Sequence, residues 1–266
     1  MRYKLLAFDI DDTLLPRTRV IPERNIRAIE RAKKIGYLVT LATGRGFLAS
    51  KPIFEQLNLF LPIINYGGAI IMDPKTGECI LATAVAPELV IEILDLANSL
   101  NLHAHLYQGD GVVCEKDSAY APKYAKFLNI PYTIDPDIRK KVWENVPKML
   151  IYAPEYTDYY MKLITKHFEG RLKVSGSVPG FIELNHIDAN KGAALEYLAN
   201  MYGLTMDGVA AMGDNTLDLE MLNMVGFSGA PADAKPEIIK TVDFVSLATC
   251  EEGAVAEFIE RILGEA

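Results

Sequence analysis

Short apolar segments that alternate with amphipathic helical patterns constrain the fold of this chain more than any other feature. Residues 3–8, 37–42 and 62–65 read as short strands that are buried on both faces. Between the first two, Pro22 suits the first turn of a helix and Gly36 suits the position just after its end. This alternation predicts an α/β fold, a doubly wound parallel sheet with helices on both faces.

The pattern is interrupted in the middle of the chain and then resumes. Hairpin-like strand pairs mixed with helical segments fill the interruption. A helix over 190–202, a strand over 208–212 and a helix over 215–224 then return to the first pattern. We therefore predict an α/β core from residues 1–83 and 188–266, and an inserted α+β domain from residues 84–187.

The composition excludes several classes of protein. Of the 266 residues, 50% are hydrophobic and 23% are charged, which is enough to bury a core and unlike a disordered chain. The net charge of −8 argues against nucleic-acid binding, which needs clustered Lys and Arg. The three cysteines, at 79, 114 and 250, are far apart and form neither a disulfide nor a zinc-binding pattern.

The sequence also lacks membrane and secretion signals. No apolar run approaches the length of about 20 residues that a membrane-spanning helix needs, and no cleavable apolar segment follows the N-terminus. Together with the scattered cysteines, this favours a reducing compartment. We expect a cytoplasmic protein with no membrane, no nucleic acid and no obligate protein partner.

Polar residues follow three of the predicted core strands, at the point where each strand ends. Residues 9–13 read DIDDT, residues 43–45 read TGR, and residues 213–218 read GDNTLD. The carboxyl ends of parallel strands meet at one edge of a doubly wound sheet, where such folds bind ligands. We therefore expect the three segments to converge on one crevice.

The crowded acids of this crevice predict a bound cation. Carboxylates that lie close together repel each other, and a cation relieves that repulsion. Asp9 and Asp214 offer oxygen ligands with no His or thiolate nearby in the sequence, which favours Mg²⁺. Proteins commonly hold Mg²⁺ with one or two carboxylates and a substrate phosphate, so these residues suit phosphoryl transfer.

Other residues of the same segments fit roles in such a reaction. Asp9 is a candidate phosphoryl acceptor, and Asp11 could exchange a proton with the leaving oxygen. Lys191 opens the first helix after the insert and could bind a phosphate oxygen as a point charge. Thr43 and the backbone N–H groups around Gly44 could bind the remaining phosphate oxygens.

These segments, in this order, resemble the motifs of the haloacid dehalogenase (HAD) superfamily. The motifs are DIDDT at 9–13, TGR at 43–45, KG at 191–192 and GDNTLD at 213–218. The large insert after TGR, with NYGGA at 65–69 before it, resembles the Cof-type subfamily, whose Rossmann-like core carries a large α/β cap of the C2 type. The resemblance covers nearly the whole chain.

The resemblance implies a Mg²⁺-dependent phosphatase that acts on small organic phosphate monoesters, such as sugar phosphates or phosphorylated cofactors. It implies that Asp9 is the nucleophile that forms an aspartyl-phosphate. It implies that Asp11 is first the general acid and then the general base. The metal ligands that it implies are Asp9, the backbone carbonyl of Asp11, and Asp214.

The resemblance also assigns the groups around the phosphate. It implies that Thr43, Gly44 and Lys191 hold the phosphate of a small phosphorylated metabolite. It implies that Asp218 orients Lys191 or a metal-bound water without itself binding the metal. Arg45, although part of the TGR segment, is expected to be structural or to lie at the rim.

Two positions within the four motifs depart from the family pattern. Asp12 stands where relatives usually have Gly, and because Asp tolerates a positive φ better than most residues, we expect the turn to form. Leu217 stands where many relatives have an Asn that faces the phosphate. One contact to the substrate is therefore in question.

Two other functions fit the same residues. A phosphomutase on this scaffold would return the phosphoryl group to the bound sugar and release an isomer. A non-enzymatic module would use Asp9 only as a phosphorylation or metal site, although a large cap argues against it. A dinucleotide-binding Rossmann domain is disfavoured because no GxGxxG follows the first strand.

Overall fold

The computed structural model describes residues 2–109, 111–128, 130–176 and 179–264. The chain divides into two compact units. The core unit contains Met1–Arg45, Ser50–Ile80 and Asn190–Ala266, and the insert unit contains Gly46–Ala49 and Leu81–Ala189. The domain limits that we predict from the sequence stay a prediction, and residues 1, 265 and 266 of the predicted core lie outside the described residues.

Strands and helices alternate along much of the chain. The strands are β1 (Leu5–Phe8), β2 (Leu38–Leu41), β3 (Ile63–Asn65), β4 (Ile70–Met72), β5 (Cys79–Ala82), β6 (His103–Gln108), β7 (Gly111–Cys114), β8 (Tyr132–Ile134), β9 (Met149–Tyr152), β10 (Leu172–Ser175), β11 (Phe181–His186), β12 (Val209–Met212), β13 (Phe227–Ala230) and β14 (Phe244–Val245). The helices are α1 (Glu23–Lys34), α2 (Phe47–Gln56), α3 (Pro87–Ser99), α4 (Ala121–Leu128), α5 (Thr157–His167), α6 (Lys191–Met201), α7 (Leu219–Met224), α8 (Pro236–Ile239) and α9 (Ala254–Leu263). Short 3₁₀ turns lie at Tyr66–Gly68, Ile138–Lys140, Met206–Gly208 and Thr216–Asp218.

A parallel sheet with the strand order β14-β13-β12-β1-β2 forms the centre of the core unit. Every residue of β1 and β12 is buried, because both strands are apolar on both faces. The chain proceeds outward from β1 to β2 on one side and from β12 to β14 on the other. The strand order therefore reverses between β1 and β12, where open α/β sheets bind ligands. The predicted parallel α/β core is confirmed.

The insert unit contains a mixed sheet with the order β10-β11-β9-β6-β7-β8. Its pairs are antiparallel except for β7 and β8, which run parallel and are connected through α4. One face of the sheet contributes to a hydrophobic core with α3 and α5, whose fully buried members include Val90, Ile93, Leu106, Met149, Ile151, Ile164, Phe168, Ile182 and Leu184. The predicted α+β character of the insert is confirmed, although α4 and β8 were not expected.

In the described part of the chain, no helix has the length and apolar character that crossing a bilayer requires.

Candidate active site

The site begins at the carboxyl ends of β1 and β12, which are neighbours in the sheet. Phe8 lies opposite Met212 in the parallel register, and the backbone N–H of Asp9 donates to the carbonyl of Met212 at 3.0 Å. Asp214 follows β12 after Gly213. The two strands therefore deliver Asp9 and Asp214 to the same edge of the sheet, as the sequence predicts.

The carboxylates of Asp9, Asp214 and Asp218 form a buried acidic cluster. Among the described residues, one carboxylate oxygen of each lies within 4.8 Å of the others. Asp9 is 6% exposed, Asp214 is 8% exposed and Asp218 is inaccessible to solvent. Because buried carboxylates are costly unless they are compensated, this cluster requires nearby positive charge or hydrogen-bond donors.

Lys191 supplies positive charge to the cluster. Its Nζ donates to Oδ1 of Asp9 and to Oδ1 of Asp218, each at 2.5 Å, and the side chain is almost wholly buried. Lys191 is the first residue of α6, whose preceding residue Asn190 accepts the backbone N–H of Ala193 at 2.8 Å. The helix start therefore fixes the position from which the lysine reaches the acids.

Asp218 holds the loop that carries Asp214. Its Oδ2 accepts the backbone N–H groups of Asp214 at 3.1 Å and of Asn215 at 3.0 Å. Asn215 and Asp218 form a reciprocal capping box at the start of the predicted helix over 215–224, whose first turn is a 3₁₀ turn that precedes α7. Leu217, in the same turn, is partly buried.

Thr13 is a site residue that had no role in the sequence-based expectations. Its hydroxyl donates to Oδ1 of Asp214 at 2.8 Å, and the threonine is wholly buried. A hydroxyl directed at a carboxylate favours the ionised form of that carboxylate. The position of Thr13 at the end of the DIDDT segment was the signal that could have identified it.

The protonation behaviour of the site follows from burial and charge. Burial lowers the pKa of Lys191, but the attraction of Asp218 and Asp9 outweighs it and raises the pKa, so the ammonium stays protonated. Burial, together with repulsion from Asp218 and Asp214, raises the pKa of Asp9 against the opposing attraction of Lys191. Burial and Asp218 raise the pKa of Asp214 to about 6, although the Thr13 hydroxyl lowers it.

One ammonium does not balance three carboxylates, so the arrangement is suited to a further cation. The ligands that the cluster offers are oxygens, the donor type that Mg²⁺ prefers. A divalent ion beside Asp9 and Asp214 would oppose the burial and the repulsion that raise the pKa of both groups. The residues present therefore fit a divalent metal.

The TGR segment lies at the end of β2, next to β1. Thr43 is wholly buried, its N–H donates to the carbonyl of Ile64 at 2.9 Å, and its hydroxyl accepts the N–H of Arg45 at 3.1 Å. Gly44 is exposed, and an added Cβ there would meet nothing within 4 Å. The structure thus places the exposed Gly44 at the carboxyl edge of the sheet, directly after the buried Thr43.

Asp11 lies outside the buried acidic cluster and pairs with Arg45. The guanidinium of Arg45 donates from Nε to Oδ2 at 2.8 Å and from Nη2 to Oδ1 at 2.5 Å. The Arg45 side chain is 15% exposed and that of Asp11 is 55% exposed. This bidentate contact was not expected from the sequence. It is possible because Asp11 follows β1 and Arg45 follows β2, and these two strands are neighbours in the sheet.

Asp12 adopts the positive φ that its position in the motif requires. Its φ is 58°, and its N–H donates to the carbonyl of Leu15 at 3.1 Å, which closes the turn after Asp11. The prediction that Asp can replace Gly in this turn is confirmed. Arg17 approaches Asp12 at 3.4 Å, but an ion pair this exposed contributes little to stability.

Comparisons with known proteins agree with this geometry. A model of the haloacid dehalogenase-like hydrolase family matches residues 6–259. A 5-amino-6-(5-phospho-D-ribitylamino)uracil phosphatase of Bacillus subtilis is 27% identical over 97% of this chain and 96% of its own length. An HMP-PP phosphatase of Serratia proteamaculans is 28% identical over 98% and 96%. The crystal structure of a haloacid dehalogenase-like hydrolase from Bacteroides thetaiotaomicron has a TM-score of 0.87 at 27% identity, with 98% of this chain and 99% of that chain covered.

Proposed function

This chain belongs to the haloacid dehalogenase-like hydrolase family and is a Cof-type phosphatase, and we propose that it uses Mg²⁺ and an aspartyl-phosphate on Asp9 to hydrolyse small phosphate monoesters. The observation that carries the proposal is the placement of the Asp9 carboxylate. This carboxylate is buried at the end of β1, accepts a hydrogen bond from Lys191 Nζ, and lies close to the carboxylate of Asp214. A carboxylate so placed can accept a phosphoryl group.

The metal would be held by Asp9, Asp214 and the backbone carbonyl of Asp11. When bound, Mg²⁺ supplies charge that screens the repulsion between the nucleophile and an anionic phosphate. The protein contributes a second positive charge through Lys191, which the proposal assigns to a phosphate oxygen. Thr43 and the backbone N–H groups around Gly44 bind further phosphate oxygens under this proposal.

The first step transfers the phosphoryl group to the protein. A carboxylate oxygen of Asp9 forms a bond to phosphorus while the bond from phosphorus to the ester oxygen breaks. The leaving oxygen departs with the electron pair of that bond and takes a proton from the Asp11 carboxyl group. The products are the free alcohol, the aspartyl-phosphate of Asp9, and Asp11 as a carboxylate.

The second step releases inorganic phosphate. The Asp11 carboxylate accepts a proton from a water molecule whose oxygen attacks phosphorus, and the bond between phosphorus and Asp9 breaks. Asp9 and the protonated Asp11 are thereby restored. The two hydrogen bonds from the Arg45 guanidinium hold the Asp11 carboxylate in a fixed position.

The class of substrate is a small phosphorylated metabolite. Two relatives at 27% and 28% identity bear the names of phosphatases for a ribitylamino-uracil phosphate and for HMP-PP, and both substrates are phosphorylated small molecules. We extend that class, but neither individual substrate, to this chain. Membership of a hydrolase family sets aside the non-enzymatic alternative, and both of these relatives bear the names of phosphatases rather than phosphomutases.

The experiment that tests the proposal compares the parent with Asp9→Asn and Asp12→Asn on an aryl phosphate, with Mg²⁺ and with EDTA. We expect EDTA to abolish the activity of the parent and Asp9→Asn to be inactive while folded. Asp12→Asn is the matched control, because Asp12 is a neighbouring acid that lies outside the acidic cluster and Asn tolerates its positive φ. Full activity of Asp9→Asn, or of the parent in EDTA, would overturn the proposal.

A further inference from the structure

The 3₁₀ turn Tyr66–Gly68 touches two of the segments that the proposed function uses. The N–H of Tyr66 donates to the carbonyl of Arg45 at 3.0 Å, and the N–H of Gly67 donates to the carbonyl of Thr43 at 2.9 Å. These bonds attach the turn to the loop that follows β2. The turn belongs to the NYGGA segment, for which the mechanism gives no role.

On its other side, the turn contacts the start of α6 without any space between them. A Cβ added at Gly68 would lie 2.1 Å from the carbonyl oxygen of Asn190 and 2.8 Å from the backbone nitrogen of Lys191. Real Cβ atoms do not approach backbone atoms this closely, so any side chain at this position must displace the start of the helix. The Asn190 carbonyl is also the acceptor for the N–H of Ala194, so a displacement there disturbs the first turn of α6.

The helix cannot absorb such a displacement by moving toward α7. A Cβ added at Gly192 would lie 2.6 Å from Sδ of Met224 and 2.8 Å from the carbonyl oxygen of Glu220. The first turn of α6 is therefore confined on two sides, by the Tyr66–Gly68 turn and by α7. A displacement imposed at Gly68 must then shift the backbone that carries Lys191.

We propose that Gly68 is a positioning residue, whose missing side chain lets the start of α6 approach the Tyr66–Gly68 turn and sets Lys191 Nζ against Asp9 and Asp218. The turn thereby fixes the spacing between the Thr43 loop and Lys191, the two groups assigned to the phosphate. This inference rests on the proposed function, because it concerns the reach of a lysine that binds phosphate there.

The chain offers a matched control at the preceding residue. Gly67 and Gly68 both have positive φ, 68° and 98°, so alanine is strained at either position. A Cβ at Gly67 would meet nothing within 4 Å, whereas a Cβ at Gly68 collides with the helix. Both variants therefore place alanine at a positive φ, although 98° lies further than 68° from the left-handed region that alanine can adopt, and only Gly68→Ala adds the collision.

The experiment measures the affinity for inorganic phosphate by calorimetry, with Mg²⁺ present, so that no turnover is needed. We compare Gly67→Ala, Gly68→Ala, Lys191→Met and the double variant Gly68→Ala/Lys191→Met. We expect Gly68→Ala to weaken phosphate binding at least about tenfold and Gly67→Ala to stay within about twofold of the parent, since the displacement acts only at Gly68. In the Lys191→Met background, Gly68→Ala should cause no further loss.

Two results would overturn the inference. One is a phosphate affinity of Gly68→Ala that equals that of Gly67→Ala. The other is a loss of phosphate affinity on Gly68→Ala that is as large in the Lys191→Met background as in the parent. If Lys191→Met itself leaves the phosphate affinity unchanged, the proposed role of Lys191 fails instead, so the two failures are distinguishable. Should Gly68→Ala not fold, the same cycle with Gly192→Ala tests the step on which the inference depends, that a displaced α6 start weakens phosphate binding through Lys191, and an unchanged phosphate affinity of Gly192→Ala would overturn the inference.

Discussion

Replacing Thr13 by Val should raise the pH at which the protein loses its metal. Thr13 donates a hydrogen bond of 2.8 Å to Oδ1 of Asp214, and Val has nearly the same shape without the hydroxyl. Asp214 must be ionised to bind a cation, and its pKa is already raised to about 6. Because the Thr13 hydroxyl lowers this pKa, its removal moves the pKa further upward.

The size of the shift follows from the strength of the bond. A hydrogen bond to a charged group contributes about 1.5–3 kcal/mol, and about 1.4 kcal/mol corresponds to one pH unit. Thr13→Val should therefore move the pKa of Asp214 upward by roughly 1–2 units. In the parent, Mg²⁺ affinity should fall as the pH drops below about 6. In the variant, the fall should begin near neutral pH.

The assay is calorimetric titration with Mg²⁺ between pH 5 and about 8, with Thr40→Val as the matched control. Thr40 is also wholly buried, and its hydroxyl donates to the backbone carbonyl of Pro62 at 2.6 Å, away from the acids. Both variants should lose stability, by about 1–3 kcal/mol, because each loses a buried hydrogen bond. An Mg²⁺ profile of Thr13→Val that coincides with those of the parent and Thr40→Val would refute the reasoning.

Two further predictions concern Arg45 and a pair of histidines. Arg45→Met should lower kcat/KM by about 10- to 100-fold in steady-state kinetics, because it releases Asp11 from its fixed position. Arg17 is exposed, so Arg17→Met should change kcat/KM by no more than about twofold. Equal effects of the two substitutions would contradict the role of Arg45 in positioning Asp11. Burial lowers the pKa of His103 to about 4 and, with His103 and Lys148 nearby, holds that of His105 well below 6.5, so both are neutral in the folded protein. Protonation then favours the unfolded chain, so thermal scans should show a stability that is complete above about pH 6.5 and falls as the pH drops toward 4. A His103→Phe/His105→Phe variant whose stability depends on pH as steeply as that of the parent would refute the assignment.

The acidic cluster could be predicted from the sequence because it depends on strand ends. Strands buried on both faces are recognisable as short apolar runs, and the residues after them lie at one sheet edge whatever the loops do. This reasoning was sufficient to bring Asp9 and Asp214 together. Lys191 could be included because its position at a helix start is also legible in the sequence.

The contacts that could not be predicted depend on distances between loops. The pairing of Asp11 with Arg45 and of Thr13 with Asp214 arises from the conformations of segments that share no periodic pattern. The collision at Gly68 likewise depends on a close approach between a turn and a helix far apart in sequence. Only the three-dimensional arrangement reveals such approaches.

The secondary structure and strand pairing of the insert were the hardest features to predict from the sequence. The helix α4 is short and contains Pro122, and β8 has three residues, so neither shows a sustained pattern. The parallel pairing of β7 with β8 also departs from the hairpin connections that the sequence of the insert suggests. Tertiary contacts, rather than local preference, decide this part of the sheet.

The most direct test of the central claim is to trap the phosphoryl group on Asp9. An aryl leaving group departs without help from an acid, whereas the second step requires Asp11 as base, so Asp11→Asn should accumulate the intermediate. We would mix Asp11→Asn with an aryl phosphate and Mg²⁺, quench in acid, digest, and locate phosphate by mass spectrometry, with Asp9→Asn as control. The proposed mechanism predicts phosphate on the peptide that contains Asp9, at Asp9 itself, and none in the control. Release of the aryl alcohol without any phosphate on Asp9, or with phosphate on another residue, would contradict it.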